Sequence, residues 1–154
     1  MKTIKRILPV LLVMFMAQVV MANDTAPKVI EMDGTNQMKF TVTNIEAQPG
    51  QKITVKLTTI SDFPKTAMAH NFVLLAADAD VTAVARASAK ASGNEYIPTD
   101  ADMKDQIIAY TGLAGGGETV EVTFTAPEES GDYEYICSFP GHYMGGMKGV
   151  LTVK

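Results

Sequence analysis

Near the end of the chain, residues 137–149 read Cys137-Ser138-Phe139-Pro140-Gly141-His142-Tyr143-Met144-Gly145-Gly146-Met147-Lys148-Gly149. This stretch holds the sole cysteine of a 154-residue chain, one of its two histidines and two of its ten methionines. The other histidine, His70, lies far upstream beside Asn71, at the head of the apolar run 70–75. A thiolate and a thioether are soft donors and a neutral imidazole is borderline, so together they suit a transition metal that changes oxidation state. Pro140-Gly141 turns the stretch back, so that His142 can approach an ion bound by Cys137. On either side the pattern is β: 133–137 before it, 150–154 after it.

Working outward, Tyr133 and Tyr135 share a face with Cys137 and read as sheet core. Residues 119–125 alternate, with Val120, Val122 and Phe124 inward. Residues 51–59 do the same, with Ile53, Val55 and Leu57 on one face and Lys52, Thr54, Lys56 and Thr58 on the other. Ala47-Gln48-Pro49-Gly50 is a turn, and the spacing predicts that 51–59 forms a hairpin with a strand at 38–45. Residues 29–32 and 106–111 are further short strands. Residues 70–75 read as a strand buried on both faces. The alanine-rich stretch after it breaks the β pattern, and a helix is expected at 80–91, outside the sheets. Residues 94–105 read as loop. Leu113-Ala114-Gly115-Gly116-Gly117 is a flexible turn and no phosphate loop, since no Lys-Ser/Thr follows. Seven or eight short strands with turn signals every eight to twelve residues argue for an all-β, antiparallel sandwich in one domain.

The chain opens with Lys2, Lys5 and Arg6, then a nearly all-apolar run at 7–20, then Val20-Met21-Ala22 before Asn23. This is the pattern of a cleaved signal peptide at 1–22, followed by a domain at 23–154. The apolar run is shorter than the ~20 residues of a spanning helix, which disfavours an uncleaved anchor. No cysteine near the cut offers a lipid attachment. Losing Lys2, Lys5 and Arg6 moves the formal net charge from −4 to −7, which excludes nucleic acid as an expected partner. In an exported protein a single cysteine has no internal disulfide partner. A free thiol in an oxidising compartment calls for an occupant, and a metal is one.

Cys137 to His142, the segment around His70 at 63–74, Asn36-Gln37-Met38-Lys39-Phe40, and Met147-Lys148-Gly149 with the strand after it resemble the azurin-like cupredoxins over nearly all of the mature chain. The resemblance implies a Greek-key cupredoxin sandwich and a type 1 (blue) copper ion held by His70, Cys137 and His142, with Met147 as weak axial ligand. It implies a periplasmic, monomeric electron carrier and no enzyme. Its partners would be redox proteins such as a c-type cytochrome or a copper or haem oxidoreductase, with no stable membrane insertion. The chain departs from azurins in three places. Four residues, not three, separate His142 from Met147, the spacing of auracyanin-type and plastocyanin-type loops. Ala69 stands where azurins have a glycine that offers its carbonyl to the metal. One cysteine leaves no room for their disulfide.

Each residue also has a plain reading. Cys137 could be a small buried hydrophobe, His70 a core histidine, His142 an exposed loop residue and Met147 core filler. Cys-x4-His-x4-Met before a terminal strand, with His-Asn upstream, outweighs these readings taken singly. Met144 competes with Met147 for the axial place, but lies close to His142. Met38, Met68, Phe139, Pro140, Gly141, Tyr143 and Met144 are expected to form an apolar docking patch around His142, with ordinary loop packing as the alternative. Asn71 is expected to bridge the two ligand segments near Ser138, and so to tune the ligands. There is no third histidine for a second copper and no nucleophile–base–acid set. Copper binding or delivery without electron transfer is the competing function; a metal-free interaction module is a third.

Overall fold

Ile53, Val55 and Leu57 are fully buried, while Lys52, Thr54, Lys56 and Thr58 face outward. Period-two alternation of this kind fixes which face of a strand meets the core. The structure is a computed structural model and describes residues 26–154; the expected signal peptide at 1–22 lies outside the described residues. Three strands form one sheet: β1 (Lys28–Thr35), β3 (Lys52–Ile60) and β6 (Thr119–Thr125), in the order β1-β3-β6. Five form the other: β2 (Asn44–Ala47), β4 (Val73–Leu75), β5 (Ile107–Tyr110), β7 (Gly131–Ile136) and β8 (Lys148–Val153), in the order β2-β8-β7-β4-β5. The eight strands make the expected β-sandwich. Its main core lies between the sheets, where Ile53, Val55, Leu57, Phe72, Leu74, Tyr135 and Leu151 cluster.

Four expectations are corrected. The strand at 51–59 does not form a hairpin with its predecessor. β2 pairs parallel with β8, and β3 pairs parallel with β1 and antiparallel with β6. The turn itself is real: Gln51 N–H donates to the Gln48 carbonyl and Gly50 takes a positive φ of 68°. It carries the chain from one sheet to the other, so that Ile45 and Ala47 enter the core from one side and Ile53 from the other. The sheets are therefore mixed, not wholly antiparallel. The strand expected at 38–45 is also mostly irregular. Met38 is left-handed at φ 54°, and Phe40 makes only a single bridge to Gly34. Likewise, residues 70–75 are buried throughout, but only 73–75 are regular strand.

The helical excursion is present as α1 (Val81–Ser88), shorter than the expected 80–91. Asp80 caps it, its carboxylate accepting the Ala83 N–H at 3.0 Å, a usual N-terminal stop for the free amides. Val84 joins Val73, Leu75, Ile97 and Ile136 in a second apolar cluster, which fastens the helix to the outer face of the five-stranded sheet. A short 3-10 turn (Ser92–Asn94) and α2 (Ala101–Lys104), capped by Asp100, interrupt the stretch expected as loop. No helix among the described residues is long and apolar enough to cross a membrane.

Leu57 sits at the centre of β3 with no exposed surface. Leu57→Ala is expected to lower the stability of the metal-free protein by about 2–5 kcal/mol, by loss of burial plus a residual cavity. Denaturant unfolding of both proteins measures it, and a loss below ~1 kcal/mol would place Leu57 outside the core.

Candidate metal centre

His70 is fixed through its backbone. Its N–H donates to the Ala114 carbonyl at 2.9 Å and its carbonyl accepts the Ala114 N–H at 2.8 Å. Its imidazole lies flush against Gly34, where an added Cβ would fall 2.6 Å from the ring's Cδ2. Only glycine fits there without moving the ring. Cys137 follows directly on β7, and its N–H donates to the Met147 carbonyl at 3.1 Å. That bond closes the ligand loop at its base.

Within the loop the chain makes a recognised helix-ending turn. The Met147 N–H donates to the His142 carbonyl at 2.9 Å, five residues back, and the Gly146 N–H to the Tyr143 carbonyl at 2.9 Å. Gly146 has a positive φ of 87°. These two nested bonds around a left-handed glycine are a Schellman motif. The motif spans six residues, with His142 at one end and Met147 at the other. The four-residue spacing between them is thus the length this turn needs, and glycine at 146 supplies the backbone shape that other residues avoid.

The turn, the closing bond and the His70 bridge bring three side chains to one point. His70 Nδ1 and His142 Nδ1 are 3.2 Å apart, and Cys137 Sγ lies 3.8 Å from the first and 3.4 Å from the second. A triangle with these sides has a point about 2 Å from all three corners, the usual bond length from such a metal to nitrogen or thiolate sulfur. Cys137 and His70 have no exposed surface, and His142 has 3%. Burial pushes the Cys137 thiol up to about 12, against weaker pulls from the backbone of Asn71 and Phe139. Burial first, and the neighbouring His142 second, bring His70 down to about 4. The Thr35 backbone pulls the other way without completing a hydrogen bond to Nε2, which is buried and unpartnered. Burial alone brings His142 to about 4. Without a cation the pocket therefore holds two neutral imidazoles and a thiol, within hydrogen-bonding distance of one another. A bound cation would favour the thiolate and satisfy all three. The residues fit a metal.

Met147 is fully buried. The Ala69 carbonyl lies 4.0 Å from Cys137 Sγ. Asn71 is buried between the ligand segments: its Oδ1 accepts the Ser138 N–H at 2.9 Å, and its Nδ2 donates to Ser138 Oγ at 2.8 Å. Ser138 Oγ in turn donates to the Tyr96 carbonyl at 2.7 Å. The residues expected around His142 fall in three groups. Pro140, Gly141 and Met144 are exposed, Met144 at 78%. Met38, Met68 and Tyr143 are half-buried. Phe139 is buried at 7%, under the site, with its ring 4.7 Å from His142 and 5.0 Å from Tyr96. Gly34, Tyr96 and Lys39 support the site without having been singled out from the sequence. Lys39 Nζ donates to the Gly145 and Gly146 carbonyls at 3.0 and 3.1 Å. Its adjacency to Met38 was the one available signal; Gly34 carried none.

The family model "Copper binding proteins, plastocyanin/azurin family" matches residues 27–154. Azurin of Pseudomonas fluorescens biotype A is 38% identical over 128 residues, covering 81% of this chain and 97% of that one. Auracyanin-A of Chloroflexus aurantiacus is 37% identical over 132 residues, covering 84% of this chain and 76% of that one. The solved structure of auracyanin A, a "blue" copper protein from the same organism, superposes with a TM-score of 0.73 and covers 84% of this chain and all of its own. Auracyanin from Roseiflexus castenholzii does so at 0.69, with 33% identity, covering 82% of this chain and 96% of its own. The sandwich is thus the cupredoxin fold. Copper is the metal of this pocket, and the chain is not an enzyme.

Gly34→Ala is expected to keep the fold yet weaken copper binding by at least about tenfold, the effect of disturbing a contact that orients a metal ligand; competition with a calibrated chelator measures it. A second expectation concerns pH. The fold keeps His70 and His142 neutral down to about 4 against an ordinary value of 6.5. The unfolded chain therefore takes up more protons between those values, and stability of the metal-free protein falls as pH drops through that window. Thermal midpoints across the range should show the fall, and replacing both histidines with glutamine should remove most of it.

Proposed function

We propose that this chain, which belongs to the plastocyanin/azurin family of copper-binding proteins, passes single electrons between periplasmic redox proteins at one type 1 copper centre. The observation that carries the proposal is the convergence of His70 Nδ1, His142 Nδ1 and Cys137 Sγ in a pocket closed to water. We assign these three as ligands and Met147 as the axial one. Bound copper supplies the Cu(I)/Cu(II) couple, which this mixed soft and borderline donor set tolerates in both states.

The chain supplies the rest. His70 is tied to Ala114, Cys137 to Met147 and His142 to Phe139 by backbone hydrogen bonds, so the donors have little freedom to rearrange when charge changes. Such pre-organisation is what a functional site needs. Asn71 joins the His70 segment to the Cys137 segment through Ser138. Pro140, Gly141 and Met144 form the exposed rim nearest His142, where a partner would dock. Met38, Met68 and Tyr143 border it, and Phe139 backs it from below. A c-type cytochrome or a copper or haem oxidoreductase fits this role, with the domain at 23–154 acting as a monomer after removal of 1–22. Copper delivery by the same ligands is the weaker reading, because delivery needs exchange and all three donors are buried.

Titration of the domain 23–154 with Cu(II) is expected to give an intense blue band, the mark of thiolate-to-copper charge transfer, saturating at one copper per chain. Met147→Leu should keep the band and raise the reduction potential, because losing a donor destabilises Cu(II) more than Cu(I). A pale product, or oxidation of the thiol by the metal, would overturn the electron-carrier reading in favour of delivery.

A further inference from the structure

The Schellman turn of the ligand loop leaves its last carbonyls pointing away from the turn, as helix ends do. These belong to Gly145 and Gly146, and no backbone N–H among the described residues donates to either. Lys39 Nζ fills the gap, with one ammonium bonded to both oxygens across more than a hundred residues of sequence. A lysine capping terminal carbonyls is a favourable arrangement, and here the cap stands immediately before Met147.

Lys39 is aimed by a tight turn. The Thr35 N–H donates to the Lys39 carbonyl at 3.0 Å, the Met38 N–H to the Thr35 carbonyl at 2.9 Å, and Met38 holds the uncommon φ of 54°. Phe40, next in the chain, is anchored in the core. Met38 lies over the first of these glycines, its terminal methyl 3.1 Å from where a Cβ on Gly145 would stand. The apolar and the polar side chain of one turn therefore grip one dipeptide. Gly34, just ahead of the turn, seats the His70 ring.

We propose that Lys39 is a positioning residue for the copper site: by holding the Gly145-Gly146 carbonyls it sets where Met147 stands relative to His70, Cys137 and His142. The proposal rests on the reading of Met147 as axial ligand. It would make the segment before β2 part of the device that tunes the metal, although none of its residues is among the assigned ligands.

Lys39→Met keeps the aliphatic stem and removes the donors; Lys39→Arg keeps donors. In the metal-free protein, amide hydrogen exchange at Gly146 and Met147 should quicken roughly fivefold in Lys39→Met, about what one net hydrogen bond provides, and stay near wild type in Lys39→Arg. In the copper-loaded protein the reduction potential should shift in Lys39→Met, return in Lys39→Arg, and not shift when Lys39→Met is made in a Met147→Leu background. Unchanged exchange, or quicker exchange with an unchanged potential, would overturn the proposal. So would a shift that persists undiminished in the Met147→Leu background, which marks a bare charge effect. A wild type that never turns blue would defeat the copper reading itself, and the exchange data would still show separately whether Lys39 holds the loop.

Discussion

Two imidazoles and a thiol held 3.2–3.8 Å apart in a buried pocket can exchange only a few weak hydrogen bonds, and His70 Nε2 makes none. Left to themselves, these groups would be better hydrogen-bonded in water, because burying polar atoms with weak or missing partners is costly. The rest of the molecule is what prevents this. Each donor is fastened through its backbone to an element that has its own reasons to stay in place: His70 to Ala114, Cys137 at the end of a central strand, His142 in a turn closed on Met147. The stability of the sandwich is therefore spent partly on keeping an unfavourable arrangement ready for a cation.

The sandwich can do this because both layers contribute. The five-stranded sheet supplies Cys137 and the loop beyond it, and β4 lies one strand away, just after His70. β1 of the three-stranded sheet carries Gly34 next to its last residue and leads into the turn with Met38 and Lys39, which close over the same site from the opposite layer. Asn71 and Ser138 then join the two ligand segments within one sheet. No single element could fix the geometry, since each controls one donor. The site's rigidity is a property of the packing between layers, where protein interiors are as dense as organic crystals.

Much of this was legible in the sequence, for identifiable reasons. Alternation at 52–59 and 119–125 states which residues face inward, and the structure follows it. The cysteine, histidine and methionine of the last loop are chemically conspicuous and close together. The hairpin before β3 was misread because Pro49-Gly50 signals a reversal but not which sheet the chain joins after it. α2 was missed because four residues carry too little periodicity to stand out. Phe139 was expected on the rim because it neighbours His142 in sequence; it is turned under the ring, against Tyr96. Gly34 and Lys39 act through shape and through hydrogen bonds to carbonyls, and the place of Lys39 beside Met38 is the one mark either leaves in the local pattern.

The parallel pairing of β2 with β8 has a consequence in time. Among the described residues Asn44–Ala47 pairs only with Lys148–Val153, about a hundred residues on, which itself sits inside the sheet between β2 and β7. A chain emerging from its N-terminus carries His70 early but cannot complete its larger sheet until residues 148–153 arrive. Contacts of such long sequence separation are slow to form. The other donors, Cys137 and His142, arrive with that same closing segment, so a half-emerged chain offers a passing metal one lone imidazole and nothing to hold it.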